Sequence, residues 1–308
     1  MTDTRDTPFA DGAAYIDGAF MPVRDARIPI TDWGYRRSDV TYDVVGVWNG
    51  SFFRLDDHVA RFRRSMQALR MDPAEDDARI RAILHECVRL SGLRNAYVAM
   101  DCLRGRPLPG QRFHPATCRN YIAAFAIPWV WVIPPEIQER GAHLIIASAL
   151  RIPDRSVDPT VKNFHWGDLT QGLFEAGDRG ADTCVLLDAD GHVTEGAGFN
   201  VFAVIAGAVV TPDRGALEGI TRASVAELCR DLGLEYCERP ITAQELRGAE
   251  EIFLSTTAGG IMPVSRIDDI VPGDDRPGPV SMRLRDLFWA KRAAGWHATP
   301  VAYGDASS

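Results

Sequence analysis

Three two-residue turn signals fix where this chain must reverse its direction. Asp17-Gly18, Asn49-Gly50 and Asp190-Gly191 each lie between segments in which apolar and polar residues alternate. These dipeptides readily adopt the positive φ angles that two-residue hairpin turns need. The sequence therefore predicts three antiparallel hairpins, two near the N-terminus and one in the second half.

Amphipathic segments of helical length stand between the predicted strands. In residues 56–71, Val59, Phe62, Met66 and Leu69 recur at helical spacing behind an acidic start. Further helices are predicted at 76–93, 169–180, 221–234 and 280–295. Hairpins, strands and helices that alternate in this way predict a mixed α/β (α+β) fold.

A proline-rich interruption divides the predicted elements into two groups. Pro134-Pro135 and the polar residues after them are typical of a linker. We therefore expect a smaller N-terminal α/β lobe at 1–132, an interdomain linker at 133–139 and a larger C-terminal lobe at 140–308.

Composition excludes several classes of function. A net charge of −8 and a pI near 5.4 argue against nucleic-acid binding, which needs a basic surface. No apolar run is long enough for a membrane span, and the polar, acidic N-terminus does not resemble a signal peptide. The six cysteines are scattered and the histidines lack metal-ligand spacing, so we expect a cytoplasmic protein without disulfides or a metal site.

Lysine is rare in this chain, which draws attention to Lys162. Of the 34 basic residues only Lys162 and Lys291 are lysines. Arginine serves equally well wherever a positive charge is enough, but its guanidinium does not deprotonate and cannot act as a primary-amine nucleophile. Lys162 is therefore a candidate for amine chemistry, with a chance surface position as the alternative.

Four further features of the sequence suit the same chemistry. Glu195 is a carboxylate at a predicted strand end, and Gly219-Ile220-Thr221 opens a helix whose N–H groups can bind an anion. Thr256 and Thr257 precede two glycines, and Arg61 could clamp a phosphate. Each feature alone also fits an ordinary bend, helix start, turn or surface arginine. Together, an amine, a carboxylate and a phosphate cradle are what pyridoxal 5'-phosphate requires.

The order of these motifs resembles a known family. "TVKN", "TEGAGFNVF", "EGITR" and "STTAGG" follow one another as in the fold-type IV pyridoxal-phosphate-dependent aminotransferases, the family of branched-chain and D-amino-acid aminotransferases. "SDVTYDVVGVWNGSFFRLDDHVARF" and "KNFHWGDL" are closest to its (R)-selective amine transaminase subgroup. The resemblance implies a two-lobed class IV fold with a barrel-like β core in the C-terminal lobe, and a homodimer.

The resemblance also implies a role for each matching residue. Lys162 would form the Schiff base with the cofactor and carry the proton, and Glu195 would pair with the pyridine nitrogen. The other implied cofactor-binding residues are Arg61, Leu217, Gly219, Ile220, Thr221, Thr256 and Thr257. The implied substrate-binding residues are Tyr42, Tyr97 and Trp166, and Arg37 and Arg112 are further candidates for binding the substrate.

The chain departs from the family pattern at two positions. Arg37 replaces a common histidine, which could favour a donor that bears a carboxylate, and Glu218 replaces a proline beside the phosphate cradle. The arginine that would hold the keto acid's carboxylate also stays open between Arg112, Arg106 and Arg37.

The expected activity is transfer of an amino group from an (R)-configured primary amine or D-amino acid to a keto acid such as pyruvate, with ping-pong kinetics. The alternatives are a D-amino-acid or branched-chain aminotransferase, a pyridoxal-phosphate-dependent lyase of the aminodeoxychorismate type, and a non-catalytic scaffold that binds a small molecule.

Overall fold

The computed structural model describes residues 8–304, so the first residues of the polar N-terminus lie outside it. The described chain forms two compact units. The first runs up to Val130 and adds Val161–Phe164 and the segment from Gly295. The second comprises Trp131–Thr160 and His165–Ala294. Within residues 8–304, no helix has the length and apolar character that a membrane span requires.

The first unit is a seven-stranded antiparallel sheet with two long helices. Its strands are β1 (Ala13–Ile16), β2 (Ala19–Pro22), β3 (Val40–Trp48), β4 (Ser51–Phe53), β5 (Ala96–Leu103), β6 (Tyr121–Pro128) and β15 (Ala298–Pro300). Its helices are α1 (Trp33–Arg37), α2 (Leu55–Ala68) and α3 (Asp77–Ser91), with short 3₁₀ turns at Val23–Asp25 and Pro115–Thr117. The strand order is β15-β4-β3-β5-β6-β1-β2.

Successive side chains along these strands point to opposite faces of the sheet, so one face forms the core and the other does not. Val45 and Val47 of β3 and Val98 and Met100 of β5 are buried in one cluster with the apolar sides of α2 and α3. The opposite face of β5 carries Tyr97 and Asp101 instead. Helices α2 and α3 cover the first face, so the second face is the one that offers polar and aromatic groups.

The second unit contains a closed six-stranded barrel. The helices and strands of the whole unit are α4 (Pro135–Arg140), β7 (Ala142–Leu150), α5 (Gly167–Asp178), β8 (Thr183–Leu187), β9 (Val193–Gly196), β10 (Phe199–Ile205), β11 (Ala208–Thr211), α6 (Ile220–Leu232), β12 (Tyr236–Glu238), α7 (Ala243–Arg247), β13 (Glu251–Thr256), β14 (Gly260–Ile267) and α8 (Pro279–Ala293). The strands run in the order β10-β13-β14-β7-β8-β9, and β9 pairs with β10 to close the ring. This barrel confirms the predicted barrel-like β core of the C-terminal lobe.

The three predicted hairpins are confirmed. Asp17 and Gly18 both have positive φ angles between β1 and β2, and Asn49 and Gly50 do so between β3 and β4. The third hairpin joins β8 to β9, where Gly191 has a φ of +83°. The segment predicted as a linker contains the short helix α4, and the division into lobes at 133–139 stays a prediction.

Candidate active site

Lys162 is held through its backbone by β3 and α2. The Lys162 carbonyl accepts hydrogen bonds from the Tyr42 N–H (3.2 Å) and from Thr41 Oγ1 (2.7 Å), and its own N–H donates to Ser65 Oγ (3.4 Å). Asn163 forms an isolated antiparallel bridge with Thr41. These contacts explain why residues 161–164 belong to the first unit although they are distant from it in sequence.

The amine of Lys162 lies over an aromatic surface. Its Nζ is 4.4 Å from the centroid of the Tyr42 ring, which is a cation–π distance. Phe164 meets the same tyrosine ring edge-on at 4.9 Å. The side chain of Tyr42 is buried, so the primary amine borders an apolar, aromatic wall.

Arg61 belongs to a buried ionic cluster on the adjoining helix. Its Nε donates to Asp43 Oδ2 at 2.7 Å and its Nη2 donates to Asp43 Oδ1 at 2.8 Å. His58 Nδ1 lies 2.8 Å from the same Oδ1. Sequence reasoning missed Asp43 and His58, because only the packing of α2 on β3 brings them to Arg61.

Opposing effects set the charges in this cluster. Burial alone would raise the pKa of Asp43, but Arg61 and His58 outweigh it and hold that pKa below its ordinary value. Burial lowers the pKa of His58, and the positive charges of Arg61 and Lys162 lower it further against the pull of Asp43. The cluster therefore contains an ionised aspartate, a charged arginine and a neutral histidine near neutral pH.

Glu195 lies on β9 of the second unit and is paired with an arginine. Its Oε1 accepts a hydrogen bond from Arg151 Nη2 (3.1 Å), and its Oε2 accepts one from the backbone N–H of Leu217 (2.9 Å). Arg151 also donates through Nη1 to Asp168 Oδ2 at 2.7 Å. Burial would lower the pKa of Arg151, but the two carboxylates outweigh it and raise that pKa. Sequence reasoning missed Arg151 and Asp168.

The start of helix α6 offers backbone donors. Gly219 is its N-cap, no side chain caps it, and its first turn contains no acidic residue. The first N–H groups of a helix lack partners within the helix and favour an anion. Gly219 is required by packing, since a Cβ there would lie 2.0 Å from Oδ1 of Asn200. Asn200 supports the loop by donating from Nδ2 to the Leu217 carbonyl at 2.8 Å.

The two threonines after β13 have different surroundings. Thr256 Oγ1 donates to the Gly198 carbonyl at 2.7 Å, so its hydroxyl hydrogen is committed to holding the turn. For Thr257 no hydroxyl hydrogen bond is found within residues 8–304. Gly260 then takes a φ of +71°, where a Cβ would meet the Phe288 ring of α8 at 2.8 Å. The second unit therefore brings Thr257 to a tight, well-packed turn.

The predicted substrate residues of the first unit fall into two places. Tyr42 and Tyr97 lie on the same face of the sheet, where Tyr97 stacks on Phe125 at 6.3 Å. Arg37 lies at the end of α1, with its guanidinium carbon 3.5 Å from the Trp33 ring and 5.2 Å from the Phe113 ring.

Neither loop arginine is buried. Arg112 is exposed beside Phe113, and its carbonyl accepts a hydrogen bond from Thr117 Oγ1 at 2.7 Å. Arg106 donates to Thr31 Oγ1 at 3.2 Å. In the second unit, Trp166 is the N-cap of α5 and lies 3.5 Å from where a Cβ of Gly198 would be.

Among the described residues 8–304, one group of possible metal ligands occurs outside these clusters. The ligand atoms of Asp188, Asp190 and His192 lie within 4.8 Å of one another. Asp188 Oδ1 accepts the backbone N–H groups of Asp190 (2.9 Å) and His192 (2.8 Å), as in an Asx turn. The hydrogen bonds that order the β8–β9 hairpin account for this arrangement.

The residues present fit pyridoxal 5'-phosphate. The first unit supplies a primary amine against an aromatic ring and a guanidinium. The second supplies a carboxylate paired with an arginine, a helix start whose N-cap is a glycine with no room for a Cβ, and a hydroxyl. These are the donors and acceptors that an aldehyde, a protonated ring nitrogen and a phosphate require.

Comparison with known proteins also supports a pyridoxal 5'-phosphate site. The family model of class IV amino-transferases matches residues 41–267. The branched-chain-amino-acid aminotransferase of Escherichia coli is 30% identical, with 89% of this chain and 91% of that protein covered. The D-alanine aminotransferase of Bacillus licheniformis is 28% identical, with 87% and 93% covered.

Solved structures match over almost the whole chain. The branched-chain amino acid aminotransferase of T.th. with pyridoxamine 5'-phosphate superposes with a TM-score of 0.87 at 29% identity, covering 94% of this chain and 99% of that one. The same enzyme complexed with N-(5'-phosphopyridoxyl)-L-glutamate gives a TM-score of 0.86. This chain therefore belongs to the class IV aminotransferases, enzymes that use pyridoxal 5'-phosphate to move an amino group from a donor to a keto acid.

Proposed function

We propose that this aminotransferase takes its amino group from an (R)-configured primary amine or a D-amino acid and gives it to a keto acid such as pyruvate, in a ping-pong cycle through Lys162. The observation that carries the proposal is the position of the Lys162 amine over the Tyr42 ring, 4.4 Å from its centroid and beside Phe164. An aromatic wall at the reacting amine suits donors with an apolar substituent. The "KNFHWGDL" stretch that contains Lys162 supports the same assignment.

The proposal gives each cluster a task. Lys162 would hold the cofactor through its amine, and the freed amine would act as the base for the proton on the donor's α carbon. Glu195, which accepts a hydrogen bond from Arg151, would accept another from the ring nitrogen of the cofactor. When bound, pyridoxal 5'-phosphate supplies an aldehyde for the amine and a ring that withdraws electrons.

We propose that five residues bind the phosphate through their N–H or O–H groups. They are Arg61, Gly219, Ile220, Thr221 and Thr257. Thr256 would act indirectly, because its hydroxyl hydrogen already holds the Gly198 carbonyl. Leu217 would pack on the ring, while its N–H keeps Glu195 in place.

Substrate binding needs both an apolar surface and a cation. We propose that Tyr42, Tyr97 and Trp166 contact the donor's substituent. Arg112, Arg37 or Arg106 would bind the acceptor's carboxylate. Arg37 stacks on Trp33 and Phe113, which leaves its guanidinium edge for a carboxylate, and this favours D-amino acids as a second donor class.

We also propose that the protein is a cytoplasmic homodimer. In each subunit the smaller and larger lobes would be joined at 133–139. The scattered free cysteines, most of them buried, are consistent with a reducing compartment.

A half-reaction screen tests the donor class. Purified holoenzyme is mixed with each enantiomer of 1-phenylethylamine, with D- and L-alanine and with L-leucine, while the cofactor's absorbance is followed. We expect loss of the cofactor's colour with the (R)-amine and D-alanine, and recovery on adding pyruvate. Reaction with L-leucine alone would instead assign branched-chain activity. Pyruvate release from aminodeoxychorismate without amine exchange would assign a lyase.

A further inference from the structure

The buried carboxylate of Asp43 contacts Arg61, a residue to which phosphate binding was assigned. It lies on β3, fully inaccessible to solvent, and faces α2. It forms two hydrogen bonds with Arg61, at 2.7 and 2.8 Å, and one with His58 at 2.8 Å. Its Oδ1 also accepts the N–H of Val44 at 2.7 Å. Such a charge is costly to bury, and the full set of partners compensates it.

The geometry of these bonds restrains the arginine more than a single contact would. Two parallel N–H···O bonds through Nε and Nη2 fix the plane of the guanidinium as well as its distance. His58 Nδ1 also contacts the Asp43 carboxylate, and His58 is itself buried, at 1% exposure. These contacts fix the orientation of the Arg61 guanidinium on helix α2.

Helix α2 links this restraint to Lys162. His58, Arg61 and Ser65 lie three and four residues apart, so they occupy one face of the helix, against β3. Ser65 Oγ accepts the N–H of Lys162 at 3.4 Å. One helix face therefore fixes both the arginine and the backbone of the lysine.

We propose that Asp43, supported by His58, is a positioning residue that aims the Arg61 guanidinium at the phosphate of the cofactor. This inference rests on the proposed role of Arg61 in phosphate binding. Asp43 acts through Arg61 and does not contact substrate or cofactor itself.

Comparing two ligands that differ only in the phosphate isolates this role. Full-length Asp43→Asn and wild-type protein are reconstituted with pyridoxal 5'-phosphate or with pyridoxal, and dissociation constants are measured by absorbance titration. Both ligands have the same aldehyde and ring, so a general defect weakens both equally. We expect about a tenfold weaker affinity for the phosphorylated ligand, close to 1.4 kcal/mol, and little change for pyridoxal.

Asp39→Asn is the matched control. Asp39 also forms two hydrogen bonds with an arginine, Arg104, at 2.9 and 3.0 Å in the same unit. Removing its charge breaks another aspartate–arginine ion pair with two hydrogen bonds, although Asp39 is more exposed than Asp43, and should leave the ratio of the two affinities unchanged. Asp43→Glu keeps the charge and tests the effect if the asparagine variant does not fold. It should show a smaller loss, again confined to the phosphorylated ligand.

A double-mutant cycle assigns the effect to Arg61. In an Arg61→Gln background, Asp43→Asn should cause no further loss of phosphate-specific affinity, because the residue it positions is gone. Equal losses for both ligands, or no loss in Asp43→Asn, overturn the inference while leaving the role of Arg61 intact. An unchanged ratio in Arg61→Gln contradicts that role, and the inference fails with it.

Discussion

Carboxylates in this chain lie in very different surroundings. Asp43 and Glu195 each have an arginine within hydrogen-bond distance. Asp101, on the second face of β5, has only neutral neighbours across the sheet, Tyr42 on β3 and Ala123 on β6. No hydrogen bond or ion pair to its side chain occurs within residues 8–304. Burial without compensation raises the pKa of Asp101 to about 7.

This raised pKa predicts a pH-dependent loss of stability. The folded state holds the proton more tightly than the unfolded state, so the free energy of unfolding should fall as pH rises from about 4 to 7. Asp101→Asn removes the titrating group and should be more stable than wild type at pH 8, with the advantage absent near pH 4. Because the side chain is only partly buried, we expect on the order of 2 kcal/mol.

Urea unfolding of both proteins across this pH range measures the difference. Asp178→Asn, at an exposed position of α5, serves as the control and should follow wild type. If the free energies of unfolding of wild type and Asp101→Asn change in parallel with pH, the pKa of Asp101 is not raised by folding and the prediction is wrong.

The sequence identified single residues where their chemistry was unusual for the chain. Lys162 stood out by the rarity of lysine, and Glu195 and Gly219 by the motifs around them. Arg151 did not stand out, since it is one of many arginines and lies 44 residues from the Glu195 that it holds. Partners of this kind depend on tertiary packing, which local patterns do not report.

Elements were predicted well where the signal was local. Helix α3 begins behind Asp76, whose side chain accepts the Arg79 N–H, and ends at Gly92 with a φ of +66°, as its sequence indicates. Helix α2 begins at Leu55, one residue before the expected Asp56. Asp56 does not cap the helix, because it lies inside the first turn, where its carboxylate accepts a hydrogen bond from Arg81 at 2.7 Å.

The start of α6 gives a test at the scale of an element. In Gly219→Ala the new Cβ would clash with Asn200, which is buried and bonded to the Leu217 carbonyl. We expect a loss of about 1–3 kcal/mol in the free energy of unfolding and weaker binding of pyridoxal 5'-phosphate. Thermal unfolding and cofactor titration measure the two effects.

Gly177→Ala is the matched control for this variant. Gly177 lies in α5 with nothing within 4 Å of a Cβ, so alanine should stabilise the protein by about 0.5–1 kcal/mol. If Gly219→Ala behaves like Gly177→Ala, the loop before α6 is not tightly packed and does not form a rigid cradle.

At the scale of the whole molecule, the sequence predicted the class of fold but not its long-range connections. The barrel closes through only two register pairs, Phe199 with Gly196 and Asn200 with Glu195. Strand β15 joins the first sheet by pairing with β4, far back along the chain. Residues 161–164 likewise join the first unit. These pairings connect distant segments, so no local periodicity could reveal them. Membership of the class IV aminotransferases also sets aside the alternative of a non-catalytic scaffold.

The central claim is that Lys162 is the residue that bonds to the cofactor, and the composition of the chain makes this directly measurable. Borohydride reduction of the holoenzyme makes the bond permanent, and peptide mass mapping then locates the added cofactor. The chain has only one other lysine, Lys291, whose amine pairs with Asp231 on the α6–α8 side of the second unit. We predict that the added mass occurs on the peptide containing Lys162 and not on the one containing Lys291. A label on Lys291, or an active enzyme with no label on Lys162, would contradict the account.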